Sequence, residues 1–468
     1  MAIFSENMKT VFITCYHSFI SRNIFNSDVL NTLKKHKELR IIILAPSNKK
    51  DFLERYYGGK NIIIESFDLD EAVKRKYSKF WYRLAFLLQN TNYVQDQRKE
   101  RLFNHRNLFG YLNYFLVNTV AEILSRLGFA RKIYRFFDFL FSPKNFLQEY
   151  LNKYSPLLIF STDIFSEHDS FILREAKAKE IPVIGMVRSW DNTTTKGALR
   201  VFPNFVIVNS PQTKKELHEF HSYPLEKIFV VGLPQFDNWL NGSTLSKQEF
   251  FKKIGADINK KLILFSPAGN ALSNTDWQIC QILKDGVKDG FLPSDIQFLI
   301  RNHPAHPADF SNFEPDGHFI IESPGTKFKE GKETEIGPDD QSHLLNSVYY
   351  SDVVIYIATS LGLDATIFDK PQIIASFDGW EKKPYVKSVK RYHNEDNLRS
   401  LIVLGGTRVV ESKEDLFLWI RKYLENPEID REGRKRIIEN HLYKIDGKAG
   451  ERIADFILKF IKEILLAG

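Results

Sequence analysis

Short apolar runs rich in Ile, Val and Leu alternate with helix-like segments along most of this chain. The runs are continuous rather than alternating with polar residues, which is typical of strands buried on both faces of a parallel sheet. This βαβ rhythm predicts a doubly wound α/β fold. In the first half it predicts strands at 10–15, 39–45, 61–65, 157–161, 181–187 and 204–208, and helices at 24–37, 48–57, 166–179 and 211–221.

The rhythm restarts after a strand at 227–231 and the break Gly232-Leu233-Pro234. Ser246 and Glu249 have the spacing of a capping box, which marks the first helix of the second half. We therefore predict an N-terminal Rossmann-like domain over 1–233 and a C-terminal one over 234–447, with ligands held in a cleft outside the strand C-termini. The second half has predicted strands at 261–266, 296–301, 318–322, 352–357 and 371–376, and helices at 246–254, 274–288, 340–350 and 361–369.

Two segments depart from this rhythm. Residues 70–155 are helical and rich in aromatic and basic residues, which predicts an insertion in the N-terminal domain. Its aromatic residues either form the core of a helical cap or present a surface to an anionic membrane or a lipid-linked acceptor. Residues 448–466 form an amphipathic helix whose apolar face carries Ile453, Phe456, Ile457, Phe460, Ile461 and Ile464.

The bulk properties narrow the class of protein. The net charge of +7 favours anionic partners such as nucleotides or an anionic membrane face, but no nucleic-acid-binding motif appears. The two cysteines, Cys15 and Cys280, fall in different halves of the chain and form no metal-ligand pair. We therefore expect no disulfide scaffold, which fits a reducing compartment. No secretory signal or membrane-spanning segment is visible. We expect a cytoplasmic protein, with the inner face of the cell membrane as a candidate peripheral location.

The segment Arg301-Asn302-His303-Pro304 ends a predicted strand, because Pro304 cannot extend a central strand. Arg301 can grip a phosphate through two hydrogen bonds, and His303 can donate to a phosphate or sugar oxygen. The alternative is an ordinary turn whose polar groups are solvated.

Two further loops follow strands of the second half. Thr359 and Ser360 precede a helix whose backbone N–H groups could bind an anion, and Asp364 could accept a hydrogen bond from a sugar hydroxyl. Simple N-capping by Thr359 or Ser360 is the alternative. The loop containing Ser266, Pro267, Gly269 and Asn270 would let the backbone approach a diphosphate.

The polar segment Ser189–Gly197 follows a buried strand of the first half. Asp191 could take a proton from an acceptor hydroxyl, and Lys196 could meet a phosphate, although a capped turn would also explain the segment. His17 and Asp163 follow two other strands, as candidate acceptor contacts or as an ordinary loop histidine and a helix cap. No Walker A, GxGxxG or metal-ligand pattern appears, so we expect neither a metal nor a cofactor.

Several segments resemble GT-B glycosyltransferases, and in particular the CDP-glycerol glycerophosphotransferase-like enzymes that build bacterial surface polymers. They are VVGLPQFD at 230–237, RNHP at 301–304 and YYSDVVIYIATSLGLDATIFDKP at 349–371. The non-hydrolysing UDP-GlcNAc 2-epimerases have a similar architecture. Where the phosphotransferases have Trp-His-Gly followed by Lys, this chain has Trp190, Asp191 and Lys196, so an Asp stands in place of a catalytic His.

The resemblance implies two Rossmann-like domains facing across a cleft, with residues 448–468 crossing back to the N-terminal domain. It implies a metal-independent, inverting transfer in surface polysaccharide synthesis, from a nucleotide sugar to a glycan or lipid-linked acceptor. Glycerol- or ribitol-phosphate transfer and 2-epimerisation are the alternatives. Asp191 would act as base, with Arg301 and His303 stabilising the leaving diphosphate. The acceptor residues would be His17, Asp163, Trp190 and Lys196, and the donor residues Ser266, Pro267, Gly269, Asn270, Arg301, His303, Thr359, Ser360 and Asp364.

Overall fold

The computed structural model describes residues 8–68, 71–327 and 334–467, and within them the chain forms two compact units. Each unit is built on one parallel sheet flanked by helices, which confirms the predicted α/β class. Unit 1 comprises Met1–Arg98, His105–Asp237 and Asp446–Gly468, and unit 2 comprises Lys99–Asn104 and Asn238–Ile445.

The sheet of unit 1 has seven parallel strands in the order β3-β2-β1-β4-β5-β6-β7. Its central strands are buried on both faces, as the continuous apolar runs predicted. The strand order reverses between β1 and β4, and ligands of such sheets bind outside the strand ends at that switch point. The strands are β1 Lys9–Thr14, β2 Leu39–Ala45, β3 Ile62–Ser66, β4 Leu158–Ser161, β5 Val183–Met186, β6 Phe205–Val208 and β7 Ile228–Val230.

The helices of unit 1 confirm a helical insertion, which lies between β3 and β4 and comprises α4 to α8. Residue 70, where this insertion was predicted to start, lies outside the described residues. The single helix predicted at 24–37 is wrong: a π-helical turn at Ser21–Phe25 precedes α2, because Ser27 is extended and caps α2 by accepting from the N–H of Val29. The helices are α1 Ser18–Ile20, α2 Asp28–Leu33, α3 Lys50–Tyr57, α4 Glu71–Leu87, α5 Asn92–Asn104, α6 Leu108–Arg126, α7 Gly128–Leu140, α8 Gln148–Tyr154, α9 Glu167–Ala178, α10 Asn192–Thr195 and α11 Pro211–His221.

The main sheet of unit 2 has the strand order β10-β9-β8-β13-β14-β15, with its switch point between β8 and β13. β11 and β12 form a separate two-stranded antiparallel ladder. The edge strand β15 was not predicted. The strands are β8 Lys261–Ser266, β9 Ile296–Arg301, β10 Phe319–Glu322, β11 Thr326–Lys327, β12 Thr334–Glu335, β13 Val353–Tyr356, β14 Gln372–Ala375 and β15 Arg408–Val410.

The predicted capping box starts the first helix of unit 2. The backbone N–H of Ser246 donates to Glu249 over 2.9 Å, and the N–H of Glu249 donates to the Ser246 hydroxyl over 3.2 Å. The helices are α12 Lys247–Ile254, α13 Asp276–Lys288, α14 Pro338–Tyr350, α15 Leu361–Ile367, α16 Asp396–Ile402, α17 Lys413–Glu425 and α18 Arg431–Ile437.

The last helix, α19 (Ala449–Ala467), belongs to unit 1 and buries Ile453 and Ile457 in the core beside β1 and β2. The carboxylate of Asp237 accepts hydrogen bonds from the backbone N–H groups of Ala449 and Gly450, at 3.0 and 2.6 Å. A carboxylate at this position caps the helix and complements its dipole. None of the described helices is long and apolar enough to cross a membrane.

Candidate functional site

The structure brings the three predicted donor loops to one edge of the unit 2 sheet. Strand β8 lies between β9 and β13, and the loops that contain Gly269, His303 and Ser360 follow the carboxyl ends of these three neighbouring strands. This edge includes the switch point, where open α/β sheets bind their ligands.

The loops after β8 and β9 are in contact through Gly269. Its φ of +81° is left-handed, and a Cβ built on it would lie 2.1 Å from the carbonyl oxygen of His306 and 3.7 Å from the Cβ of His303. Only glycine fits both the conformation and the space. The loop therefore approaches the RNHP turn as closely as backbone atoms allow.

The Gly269 loop differs from the expected open anion cradle. The N–H groups of Ala268 and Gly269 donate to the carboxylate of Asp276, at 3.3 and 2.8 Å. Burial raises the pKa of Asp276 to about 6, although these hydrogen bonds oppose the rise. The carboxylate already occupies these two donors, so Asp276 shapes the loop and a diphosphate would need other contacts.

The imidazole of His303 is held in one orientation and one tautomer. Its Nδ1 accepts from the backbone N–H groups of Ala305 and His306, both at 3.1 Å. Burial, followed by the charge of His306, lowers the pKa of His303 to about 4. Near pH 7 the ring is therefore neutral, and its proton lies on Nε2, where it can be donated to a ligand oxygen.

Arg301 ends β9 as predicted, but its guanidinium is paired within unit 2. Nη1 donates to Oε1 of Glu322 on β10 over 2.5 Å, and His343 contacts Oε2 of the same carboxylate at 2.6 Å. Burial raises the pKa of Glu322, but the His343 hydrogen bond and the Arg301 charge outweigh it, so the pKa is lowered. Arg301 can serve a ligand only in combination with this cluster.

The remaining donor residues differ in accessibility. Ser360 is exposed at the start of α15 and makes no side-chain cap, whereas the Thr359 hydroxyl accepts from the N–H of Leu361 over 3.3 Å. Asp364 is buried at 5% exposure, which argues against the ribose or sugar contact expected for it. In the loop after β8, Asn270 is exposed, Ser266 is half-buried and Pro267 is buried.

A second polar edge lies at the switch point of unit 1, after β1 and β4. His17 follows β1, and its Nδ1 accepts from the N–H of Phe19 over 3.2 Å. Burial, followed by the positive charges around it, lowers the pKa of His17 to about 2. The charges are those of Arg188, Lys49, Lys196 and Arg22. Arg188 is paired with Asp163 over 2.7 Å and Lys49 is buried, so this edge combines a neutral histidine with cations that are in part already engaged.

Asp163, after β4, anchors the predicted acceptor loop. It accepts from Nε of Arg188 over 2.7 Å and from Nδ2 of Asn192 over 3.3 Å. These two partners flank Asp191 in sequence. Ser166, rather than Asp163, caps α9 by accepting from the N–H of Asp169. Asp163 is therefore a positioning residue for the segment that carries the candidate base.

The Asp191 carboxylate lies within hydrogen-bonding range of two hydroxyl groups. Ser189 donates to Oδ1 over 2.5 Å, and Thr195 lies 3.3 Å from Oδ2. Asp191 makes no side-chain cap to α10, which counts against the capped-turn interpretation. Trp190 and Lys196 are half-buried on either side of this turn.

The helical insertion also contacts the Asp191 turn. Gln89 donates to the carbonyl of Thr193 over 2.6 Å, and Thr91 donates to the carbonyl of Thr194 over 2.7 Å. Both donors lie between α4 and α5. The position of the Asp191 turn therefore depends on the insertion as well as on the sheet.

Several residues that shape the two edges were not predicted from the sequence. Asp276 lies in the first turn of a helix that follows a glycine-containing loop, and this sequence position marked it as a candidate. Arg188 directly precedes the acceptor turn, so its sequence position also marked it as a candidate. In contrast, Glu322 and His343 are brought to Arg301 only by the tertiary fold. Asn209, after β6, is 1% exposed, and its amide oxygen and nitrogen have no hydrogen-bond partner within the described part of the chain.

Within the described residues, no three His, Cys, Asp or Glu side chains are placed to hold a metal ion. The two parallel sheets and their switch-point sites define a protein of the GT-B fold. The chain belongs to the family of CDP-glycerol:poly(glycerophosphate) glycerophosphotransferases, whose model matches residues 186–459, more than half of its length. It is thus a transferase by family, and the predicted resemblance is confirmed.

Solved structures agree with this fold. UDP-GlcNAc 2-epimerase from Neisseria meningitidis, bound to UDP-GlcNAc, is 12% identical with a TM-score of 0.56, over 96% of this chain and 100% of that chain. A putative 2-epimerase from Listeria monocytogenes is 12% identical with a TM-score of 0.58, over 97% of both chains. The wall teichoic acid polymerase TagF is 14% identical with a TM-score of 0.52, over 98% of this chain and 90% of that chain. No curated protein sequence matches the chain.

Proposed function

We propose that this chain transfers a polyol phosphate from a CDP-linked donor to a hydroxyl acceptor during synthesis of a surface polymer. The family description and the similarity to a wall teichoic acid polymerase support this choice of chemistry. The proposed donor site depends on one observation: the neutral ring of His303 is fixed with Nε2–H as a donor at the switch-point edge of unit 2.

In this proposal unit 2 supplies the donor site. The Nε2–H of His303 and the Arg301 guanidinium stabilise the phosphate oxygens of the leaving nucleotide, as preorganised donors do at a developing charge. The exposed Ser360 and Asn270 would contact the rest of the nucleotide.

Unit 1 supplies the base and the acceptor site. Asp191 takes the proton of the acceptor hydroxyl, and the acceptor oxygen forms a bond to the distal phosphorus of the donor. The bond from that phosphorus to the bridging oxygen breaks, and CMP leaves with the electron pair. The cations around His17 would bind an anionic acceptor, such as a phosphate-bearing chain or lipid.

Glycosyl transfer from a nucleotide sugar is the second candidate. It is favoured by Asp191, which stands where the resembling phosphotransferases have a catalytic His. The acceptor oxygen would then attack the anomeric carbon, with inversion if Asp191 acts as the base, and a nucleoside diphosphate would leave. Both candidates share one donor site and differ in the bond that breaks.

Product analysis separates the two candidates. The full chain is incubated with glycerol phosphate oligomers and either CDP-glycerol or a panel of UDP-, GDP- and TDP-sugars, and the released nucleotides are resolved by chromatography. Release of CMP supports phosphotransfer, and release of a nucleoside diphosphate supports glycosyl transfer. If no donor is turned over and no nucleotide raises the melting temperature, the transferase site proposed here is wrong.

Two substitutions at His303 test its role in donor binding. In His303→Asn, the amide oxygen can still accept the backbone N–H groups, but the distal donor is lost. His303→Ala removes both functions. We expect both variants to lose nucleotide affinity and only His303→Ala to lose stability as well. His36→Ala, at a side chain that is 39% exposed in unit 1, serves as the control and should keep wild-type nucleotide affinity. Wild-type affinity in His303→Asn would remove His303 from the donor site.

A further inference from the structure

A long segment at residues 376–394 follows β14 at the same sheet edge as the donor loops. It contains two 3-10 turns, Tyr385–Lys387 and Val389–Asn394. Because β14 is parallel to β13 and pairs with it, this segment begins beside the loop that carries Thr359 and Ser360. We name residues 376–394 the β14 segment. It was not among the predicted donor loops, so its contacts with them add to the description of that edge.

The β14 segment is bound to the loop after β8. Nζ of Lys383 donates to Oδ1 of Asn274 over 2.6 Å, and the Tyr392 hydroxyl donates to the carbonyl of Leu272 over 3.3 Å. The N–H of Leu272 in turn donates to the carbonyl of Gly269 over 2.9 Å. The β14 segment is therefore joined to the turn that begins at Gly269.

His393 connects the β14 segment to the loop after β13. Its Nε2 lies 3.3 Å from the carbonyl oxygen of Ile357, and its Nδ1 lies 2.7 Å from the hydroxyl oxygen of Ser376. Burial lowers the pKa of His393 to about 4, so the ring is neutral near pH 7. A carbonyl can only accept, so Nε2 carries the proton and Nδ1 accepts from Ser376. The β14 segment thus contacts two of the three donor loops.

Glu100 of α5 pairs with two cations of the β14 segment. Nη1 of Arg391 donates to Oε2 of Glu100 over 2.5 Å, and Nζ of Lys387 donates to Oε1 over 2.8 Å. Lys99–Asn104 belong to unit 2, so both ion pairs lie within one compact unit. The side chains of Glu100 and Arg391 are only 22% and 12% exposed, so this pair is screened less than a surface ion pair.

Arg391 extends this connection to the loop after β8. Its Nη2 donates to the Tyr392 hydroxyl over 2.9 Å, and that hydroxyl donates to the Leu272 carbonyl. A guanidinium can only donate and a carbonyl can only accept, so the hydroxyl of Tyr392 has one orientation. Hydrogen bonds aligned in one direction also polarise and strengthen one another. A directed chain of hydrogen bonds therefore runs from Leu272 to Glu100.

We propose that Glu100 is a positioning residue for the donor site. Through Arg391 and Tyr392 it holds the loop after β8 in the conformation that binds the nucleotide. The inference rests on the proposed function, because it concerns the same donor site. A loop that is ordered before binding costs less free energy to immobilise, so Glu100 contributes to affinity by preorganisation.

The binding test compares Glu100→Gln with Arg101→Gln, which neutralises an exposed neighbour on the same helix. Glu100→Gln keeps the size of the side chain but loses its charge. We expect it to weaken CDP binding about three- to tenfold in calorimetric titration. The donor KM should rise with little change in kcat, because the reacting groups are untouched. Arg101→Gln should bind CDP as wild type does.

Tyr392→Phe provides a second, independent break in the chain of hydrogen bonds. It removes the hydroxyl between Arg391 and Leu272 and keeps the ring. If Glu100 acts through this hydroxyl, the double variant Glu100→Gln/Tyr392→Phe should bind CDP no more weakly than the weaker single variant. Additive losses would overturn the inference, because they would show that the two residues act separately.

Hydrogen exchange of the unliganded protein does not depend on the proposed function. The amides of Leu272 and Ser273, which both donate to the Gly269 carbonyl over 2.9 Å, should exchange faster in Glu100→Gln than in wild type. They should keep the wild-type rate in Arg101→Gln. Unchanged exchange at these amides would overturn the inference. Faster exchange throughout unit 2 would also overturn it, because Glu100 would then only stabilise the fold.

The two measurements separate failure of the inference from failure of the proposed function. If Glu100→Gln binds CDP with wild-type affinity, the positioning role is wrong and the donor site stands. If wild-type protein binds no nucleotide but exchange at Leu272 is faster in Glu100→Gln, the donor site is wrong. The hold of Glu100 on the loop after β8 is then supported by itself.

Discussion

The Cα of Gly269 lies so close to the backbone of His306 that a Cβ atom on Gly269 would be 2.1 Å from the His306 carbonyl oxygen. This contact joins the loop after β8 to the turn that carries His303. Because both elements are backbone at the contact, neither can yield as a flexible side chain would. The shape of the candidate donor edge therefore requires a residue without a Cβ atom at position 269.

Gly269→Ala should destabilise the protein and reduce nucleotide affinity, because the Cβ forces the two loops apart. Gly290→Ala is the matched control, since Gly290 has a similar φ of +75° but open space around it. The control should cost about 1–2 kcal/mol of unfolding free energy, the strain of a left-handed residue. Denaturant unfolding and nucleotide titration measure both effects. Equal costs for the two variants would contradict the close contact.

Asp191→Asn should abolish turnover and leave nucleotide affinity nearly intact. The amide keeps the size of the side chain but cannot accept the acceptor proton. Steady-state kinetics and calorimetric titration with CDP separate the two effects. The neighbouring Thr195→Val removes a hydroxyl that donates to the Asp191 carbonyl over 2.9 Å and lies 3.3 Å from its Oδ2, and it should retain most of its activity. Undiminished turnover by Asp191→Asn would rule out its role as base.

Arg301→Ala should weaken nucleotide binding by about 1.5–3 kcal/mol if the guanidinium contacts a phosphate. It should also lower the unfolding free energy, because Glu322 loses an ion-pair partner. The double variant Arg301→Met/Glu322→Gln separates these effects, since removing both charges should restore much of the stability but not the affinity. Full nucleotide affinity in the double variant would show that Arg301 is purely structural.

Glu322 should make stability depend on pH in the acid range. Its pKa is lowered in the folded state, so the folded protein binds the proton less readily than the unfolded chain. Its contribution is therefore present above the unfolded pKa and is lost as pH falls through the lowered folded value. Glu322→Gln should flatten this loss in denaturant unfolding measured between about pH 6 and 3. Identical pH profiles for the two proteins would contradict the pairing.

Much of the fold could be predicted because local sequence patterns indicate its strands and helices. Strands β2, β8 and β9 have the predicted bounds, since continuous apolar runs end at clear breaks. Strand β15 was missed because it has three residues, of which one is buried, and so gives no apolar run; it lies at the sheet edge beside β14. The first helical segment was misassigned because the extended cap at Ser27 interrupts an otherwise helical apolar pattern.

The candidate sites were predicted less completely than the fold. The strand order could place Gly269, His303 and Ser360 on one edge, because each follows a central strand. The pairing of Arg301 with Glu322 depends on the register of β9 with β10, which the sequence does not display. Likewise, the hydrogen bond from the Gly269 N–H to the Asp276 carboxylate depends on the path of the loop between β8 and α13.

The most direct test of the account is a crystal structure of the full chain soaked with CDP. We predict that the diphosphate lies at the carboxyl edge of β8, β9 and β13, with a phosphate oxygen within hydrogen-bonding distance of Nε2 of His303. A nucleotide bound elsewhere, for instance in the cavity of about 750 Å³ lined by Phe291, Trp380 and Lys413, would contradict the proposed donor site.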